Sequence, residues 1–141
     1  MKKIMVFGTF NILHQGHLSL FEQAKKLGEA LYVVVACNET VARLKNYTPT
    51  DEKERMDRIK SVKVVDYVLL GDLKDKFKAI KEIKPEVIGL GYDQTFFVDD
   101  LENFIAENGF KVEIVRLKAF HPNKYKSRIL MGKERSGGIF F

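Results

Sequence analysis

Five short apolar runs alternate along the chain with stretches whose apolar residues recur at helical spacing. Lys3 to Phe7, Leu31 to Ala36 around Val33-Val34-Val35, Asp66 to Leu70, Glu86 to Leu90 and Lys111 to Val115 read as buried strands. Between them, His17 to Leu27 places Leu20, Phe21, Ala24 and Leu27 on one stripe of a helix. Asp51 to Lys60 begins with Thr50 as an N-cap and acids in its first turn. Leu73 to Ile83 and Phe97 to Glu107 follow the same logic, with Gly109 as a helix stop, and a last short helix is expected after Lys126. Strands with Val- and Ile-rich cores, alternating with helices, predict an α/β fold: a doubly wound, parallel, five-stranded sheet covered on both faces. Such sheets bind ligands beyond the carboxyl ends of the strands, where strand order reverses. The segments that follow the strands are therefore where chemistry is expected.

Composition narrows the class. With 45% hydrophobic and 30% charged residues in 141, the chain has material for a real core and is neither disordered, collagen-like nor a coiled coil. No repeat, low-complexity tract or boundary divides it, so residues 1–141 are expected to form a single domain. One cysteine, Cys37, permits neither an internal disulfide nor a cysteine zinc cluster, and a reducing, cytoplasmic setting is the default. Ile4 to Phe21 carries no formal charge, yet Thr9, Asn11, His14, Gln15, His17 and Ser19 interrupt it, so neither a membrane span nor a signal peptide is expected. The net charge of +5 is concentrated between Lys118 and Arg135, where six cations face one acid, Glu134; elsewhere cations and acids balance. A block of that kind suits a polyanion such as nucleotide phosphates, nucleic acid or a membrane surface, with a solvated basic tail as the alternative.

The densest chemistry follows the first strand, in Gly8-Thr9-Phe10-Asn11-Ile12-Leu13-His14-Gln15-Gly16-His17. Gly8 lets the chain turn close to a ligand. His14 and His17 lie three apart across a glycine at the start of a helix, so both imidazoles can face one pocket. The backbone N–H groups of that first turn favour anions. Two imidazole donors at a helix N-terminus make a phosphate cradle. A metal pair, incidental surface histidines and local capping are the competing readings. The segment is not a dinucleotide-binding fingerprint, because no GxGxxG follows the strand.

GTFNILHQGH resembles the signature of the HxGH nucleotidyltransferase superfamily, which includes cytidylyltransferases, phosphopantetheine adenylyltransferases and archaeal FAD synthases. The resemblance continues through Glu54-Arg55, Val65-Asp66-Tyr67-Val68 and Leu90-Gly91-Tyr92-Asp93-Gln94 to Lys126-Ser127-Arg128-Ile129, and so spans essentially the whole chain. It implies a Rossmann-like fold and nucleotidyl transfer: an acceptor phosphate attacks the α-phosphorus of a nucleoside triphosphate and pyrophosphate leaves. His14 and His17 would be catalytic, binding α- and β-phosphate oxygens, with Gln15 and Gly16 between them in the same nucleotide-binding element. Thr9 and Phe10 would contact the nucleotide. Ser127 and Arg128, with Lys124 and Lys126, would hold the β- and γ-phosphates. Lys45 would reach acceptor and nucleotide phosphates, Asp93 would read the adenine amino group or the ribose, and Phe120 would stack on the base. Mg²⁺ would arrive with the triphosphate, and no protein metal ligands are expected. Two departures from the family pattern stand out: Asn11 where an Asp is usual, and Lys126 where a hydroxyl residue is usual.

Within the superfamily the short chain and the Leu90–Gln94 segment look most like archaeal FAD synthase, which adenylylates FMN. The alternatives are a glycerol-3-phosphate cytidylyltransferase-like enzyme using CTP, and, from another class, a nucleic-acid-binding module exploiting the basic block. ATP and FMN, or another small phosphate-bearing acceptor, are thus the expected partners; membrane and nucleic acid are not. A homodimer is open, since the apolar Ile139-Phe140-Phe141 end can pack on a second copy or on the core.

Overall fold

A computed structural model describes residues 1–45, 49–92, 94 and 98–119, with the side chains of residues 44 and 45 excepted. Five strands, β1 (Lys3–Gly8), β2 (Ala30–Val35), β3 (Tyr67–Leu70), β4 (Val87–Leu90) and β5 (Glu113–Arg116), form one sheet. Every pairing in it is parallel, in the order β3-β2-β1-β4-β5. The chain moves outward from β1 through β2 to β3, then returns to the other side of β1 for β4 and β5. Strand order therefore reverses between β1 and β4, and the segments after Gly8 and Leu90 flank the resulting crevice.

Among the described residues five helices cover the sheet: α1 (Gln15–Lys25), α2 (Asn38–Lys45), α3 (Glu52–Lys60), α4 (Lys78–Ile83) and α5 (Val98–Asn108). The two-residue period of the strands splits their side chains between two cores. Ile4, Val6, Leu31, Val33 and Val35 face Phe21 and Ala24 of α1 and Ile59 of α3. Met5, Tyr32, Val34, Ile88 and Leu90 face Ile80 of α4 and Leu101 of α5. Every residue of β2 is buried, whereas the edge strands β3 and β5 expose both their ends.

The strands fall within two residues of their expected positions, and Gly109 ends α5 at φ 69. Three details differ. The second crossover carries two helices, because α2 precedes α3; α2 buries Val41 but shows no long apolar stripe in the sequence. The helix expected from Leu73 starts only at Lys78. The Asp72 carboxylate accepts the N–H groups of Lys74 and Asp75 (2.8 and 2.9 Å), and Asp75 accepts that of Phe77 (3.1 Å). These aspartate turns give the backbone an alternative to the helix. Finally, Asp51 rather than Thr50 occupies the N-cap of α3, with no side-chain capping bond. Among the described residues no helix is long and apolar enough to cross a membrane; the uncharged run from Ile4 is divided into β1, a loop and α1.

Candidate active site

The loop after β1 leads into α1 through His14, which is the N-cap. Its Nδ1 accepts the Gly16 N–H (3.0 Å), and its own N–H donates to Nδ1 of His17 (3.3 Å), a reciprocal capping box. An Nδ1 that accepts carries no proton, so each neutral imidazole carries its proton on Nε2. The two rings stack, with centroids 3.9 Å apart and planes 23° apart. Local capping, one of the competing readings of the sequence, is thus present. It also fixes both tautomers, leaving the proton of each ring on Nε2, that of His17 being buried. The amides of His17 and Leu18 donate to the His14 carbonyl (3.0 and 3.2 Å) and that of Gly16 to its ring. His14 thus engages these first-turn amides itself, and the imidazole edges are the donor groups the sequence adds to the helix dipole. Gln15 lies between them, exposed.

His17 is only 5% exposed, and burial is the main reason its pKa falls from 6.5 to about 3, with repulsion from His14 adding to it and the Ile12 carbonyl opposing. It is therefore neutral at physiological pH, a hydrogen-bond donor rather than a cation. The unfolded chain protonates this histidine below about pH 6.5 and the folded one only near 3, so its contribution is complete above 6.5 and is lost as pH falls toward 3. The expected difference between wild type and His17→Gln is a slope of up to about 1.4 kcal/mol per pH unit across that window. Glutamine at this position keeps the capping box without titrating. Urea unfolding at a series of pH values measures it; parallel curves for the two proteins would contradict the buried, neutral assignment.

Beneath His17 lies Phe10. Its ring is buried, edge-on to His17 at 5.2 Å and tilted against Phe21 at 5.3 Å. Phe10 has φ 52, a left-handed conformation that costs a side-chain-bearing residue about 1–2 kcal/mol. The buried ring holds the turn there and floors the histidine pair.

Arg55 of α3 fastens this loop from behind. Although fully buried, it donates to the Thr50 carbonyl (2.7 Å), to the Thr9 and Ala36 carbonyls (both 2.8 Å) and to Asn38 Oδ1 (2.9 Å). Asn11 Oδ1 accepts the Thr50 N–H (2.7 Å), and Arg58 donates to the Asn11 carbonyl (3.1 Å). The Thr9 carbonyl thus faces Arg55, and the Asn11 side chain, where the family pattern has a carboxylate, ties the loop to the start of α3. Among the described residues no three His, Cys, Asp or Glu side chains gather as a metal site.

Across the crevice, the turn after β4 is held by several bonds. Gln94 N–H donates to the Gly91 carbonyl (3.0 Å), and Gly91 N–H donates to Gln94 Oε1 (3.0 Å). Arg116, at the end of β5, donates to the carbonyls of Gly91 (2.9 Å) and Gln94. Beyond β5, Lys118 exchanges two hydrogen bonds with the Gln23 amide of α1 (2.8 and 2.9 Å), so the start of the basic block lies against α1.

The structure therefore brings Thr9, Phe10, His14, Gln15, Gly16 and His17 together on one side of the crevice. Lys45 is the last residue of α2. Asp93, Phe120, Lys124, Lys126, Ser127 and Arg128 lie outside the described residues. Two residues gain a role that spacing alone did not assign. Arg55 precedes Ile59 by one helical turn and so occupies the buried stripe of α3 despite its charge, a pattern readable in the sequence. Gln94 carried no signal beyond its place in the Leu90–Gln94 segment.

Residues 5–132 match the cytidylyltransferase-like family. The chain is 44% identical over 121 residues to the FAD synthase of Methanohalophilus mahii, covering 86% of this chain and 84% of that protein. To the FAD synthase of Ferroglobus placidus it is 43% identical over 120 residues, covering 84% and 78%. Among solved structures, the lipopolysaccharide core biosynthesis protein from Thermoplasma volcanium superposes with a TM-score of 0.79 at 42% identity, covering 85% of this chain and 98% of that one.

Proposed function

Since the chain belongs to the cytidylyltransferase-like family, we propose that it transfers the AMP of ATP to FMN, giving FAD and pyrophosphate. The observation that carries the reaction type is the stacked histidine pair at the crevice between β1 and β4, with both Nε2 atoms set as donors. The choice of FMN rests on the similarity to FAD synthases over most of the chain.

A phosphate oxygen of FMN attacks the α-phosphorus of ATP, and the bond to the bridging oxygen of pyrophosphate breaks. The attacking monoester is already ionised at neutral pH, so no side chain has to remove a proton. What remains for the protein is alignment and stabilisation of charge growing on the phosphate oxygens. His14 and His17 donate to those oxygens. Lys45, Lys124, Lys126, Ser127 and Arg128 bind the β- and γ-phosphates and the acceptor phosphate. Asp93 accepts from the adenine amino group, Phe120 stacks on the base, and Thr9 and Phe10 shape the turn that faces the nucleotide. A divalent cation such as Mg²⁺ would arrive with the triphosphate and would offset its charge. The chain works as one cytoplasmic domain.

A second reading has a specific motive: the 42% identity to a protein of lipopolysaccharide core biosynthesis favours a sugar- or polyol-phosphate acceptor. Both readings use the same nucleophile, so the test is substrate choice. Pyrophosphate release is to be measured with ATP, CTP, GTP and UTP against FMN, glycerol 3-phosphate and a sugar 1-phosphate. ATP with FMN is expected to give the fastest release, abolished by EDTA and restored by Mg²⁺. Faster release from CTP with glycerol 3-phosphate, or from any nucleotide with the sugar phosphate, would overturn the FMN assignment.

A further inference from the structure

Gln94 is 95% buried, yet one of its polar atoms is unaccounted for. Its side-chain orientation is not ambiguous: Gly91 N–H is a donor, so the atom it meets at 3.0 Å has to be Oε1, and Nε2 faces the other way. Nε2 is buried and has no hydrogen-bond partner among the described residues. The rest of the residue is anchored, its N–H on the Gly91 carbonyl and its own carbonyl by Arg116. A buried N–H donor without an acceptor is costly, and a rigid turn denies it the chance to rotate toward water.

The direction of the side chain follows from Gly91. A Cβ built on Gly91 would lie 3.8 Å from Gln94 Cβ and Oε1 and 4.0 Å from Leu20 Cδ1. Gln94 therefore folds back over the end of β4 on the face that carries α1, the helix whose first turn holds His14 and His17. The amide and the imidazoles share one face of the sheet on opposite sides of the strand reversal. A neutral amide donor does not match the charge of a triphosphate as cations do; it suits a neutral acceptor, a ring nitrogen of the base or an oxygen of the ribose.

Building on the adenylyl-transfer reading, we infer that Gln94 is a nucleotide-recognition residue whose Nε2–H donates to a neutral acceptor on the base or ribose of ATP. The nucleotide supplies the acceptor that the folded chain lacks. Hydrogen bonding to a buried polar group gives strong discrimination, because an analogue without the acceptor leaves the donor stranded.

Two variants separate this role from a structural one. Gln94→Glu keeps an oxygen for Gly91 N–H and replaces the donor, whereas Gln94→Met keeps the size and removes both. Calorimetric titration with ATP, without acceptor, is expected to show Kd raised roughly tenfold or more in each, the scale of a lost hydrogen bond beside a buried group. A cooperative melt qualifies each variant for the titration, and Gln94→Met, which buries no charge, serves if the unpaired carboxyl of Gln94→Glu prevents folding. Titration with 1-deaza-, 3-deaza- and 7-deaza-ATP and with 2′- and 3′-deoxy-ATP then locates the acceptor. One analogue is expected to bind wild type about tenfold more weakly than ATP does and to bind Gln94→Glu no worse than ATP does, a non-additivity that a structural residue would not produce. Unchanged Kd for ATP in the variants, or additive losses with all five analogues, overturns the inference alone. Failure of wild type to bind ATP overturns the adenylyl reading and this inference with it.

Discussion

His17→Ala is expected to lower kcat by roughly a hundredfold or more, the scale of removing one preorganised donor to a developing oxyanion. The rings stack 3.9 Å apart, and the bonds to both Nδ1 atoms hold the proton of each ring on Nε2. His17 is the more constrained of the two: Phe10 floors it, burial keeps it neutral, and the His14 N–H fixes its tautomer. His14 carries a second duty as N-cap of α1, so His14→Ala loses the cap, worth about 1 kcal/mol, along with the donor. His14→Asn separates the two, because asparagine caps a helix well but brings no imidazole. It should therefore keep wild-type stability and still lose turnover on the scale of His17→Ala. Steady-state kinetics with circular dichroism on the same samples decides it. Turnover within tenfold of wild type in both folded variants would remove the histidines from the catalytic step.

Arg55→Met is expected to cause the largest loss of stability, at least about 3 kcal/mol, because it strands several buried acceptors at once. The Thr9, Ala36 and Thr50 carbonyls and Asn38 Oδ1 all accept from this one guanidinium. For a chain of this length that corresponds to a fall in Tm of roughly 10 °C. Arg55→Lys retains the charge but has no planar fork to reach acceptors on three segments, so it should recover only a small part of the loss. The segments released are the loop that presents His14, the end of β2 and the approach to α3. Turnover of the molecules that remain folded should fall as well. Thermal unfolding of the three proteins tests this, and a Tm for Arg55→Met within about 2 °C of wild type would show that the loops hold without it.

Much of this architecture was legible in the sequence, for identifiable reasons. The central strands are buried on both faces, so Val33-Val34-Val35 and its counterparts stand out as apolar runs, and parallel pairing follows from the intervening helices. His14 and His17 were visible because their spacing around Gly16 falls at a strand-to-helix turn. The second crossover was not: α2 buries little, and its Val41 makes no periodic signal. Asp72 and Asp75 hid the late start of α4, because side-chain turns override helix propensity locally. Nor could spacing show that His14 is itself the cap, that Asn11 faces Thr50, or that Gln94 leaves a buried donor. The first and last rest on the exact geometry of tight turns, which residue spacing does not give, and the Asn11–Thr50 contact depends on which loops the strand order brings together.

The most direct measurement follows the label from ATP carrying radioactive phosphorus at the α-position, incubated with the protein, Mg²⁺ and FMN and separated by chromatography. Label is expected in FAD, with unlabelled pyrophosphate in equal amount, and His17→Ala is expected to give neither product beyond a trace. Label that stays in ATP with FMN, while α-labelled CTP and glycerol 3-phosphate or a sugar 1-phosphate yield a labelled conjugate, would contradict FMN adenylylation.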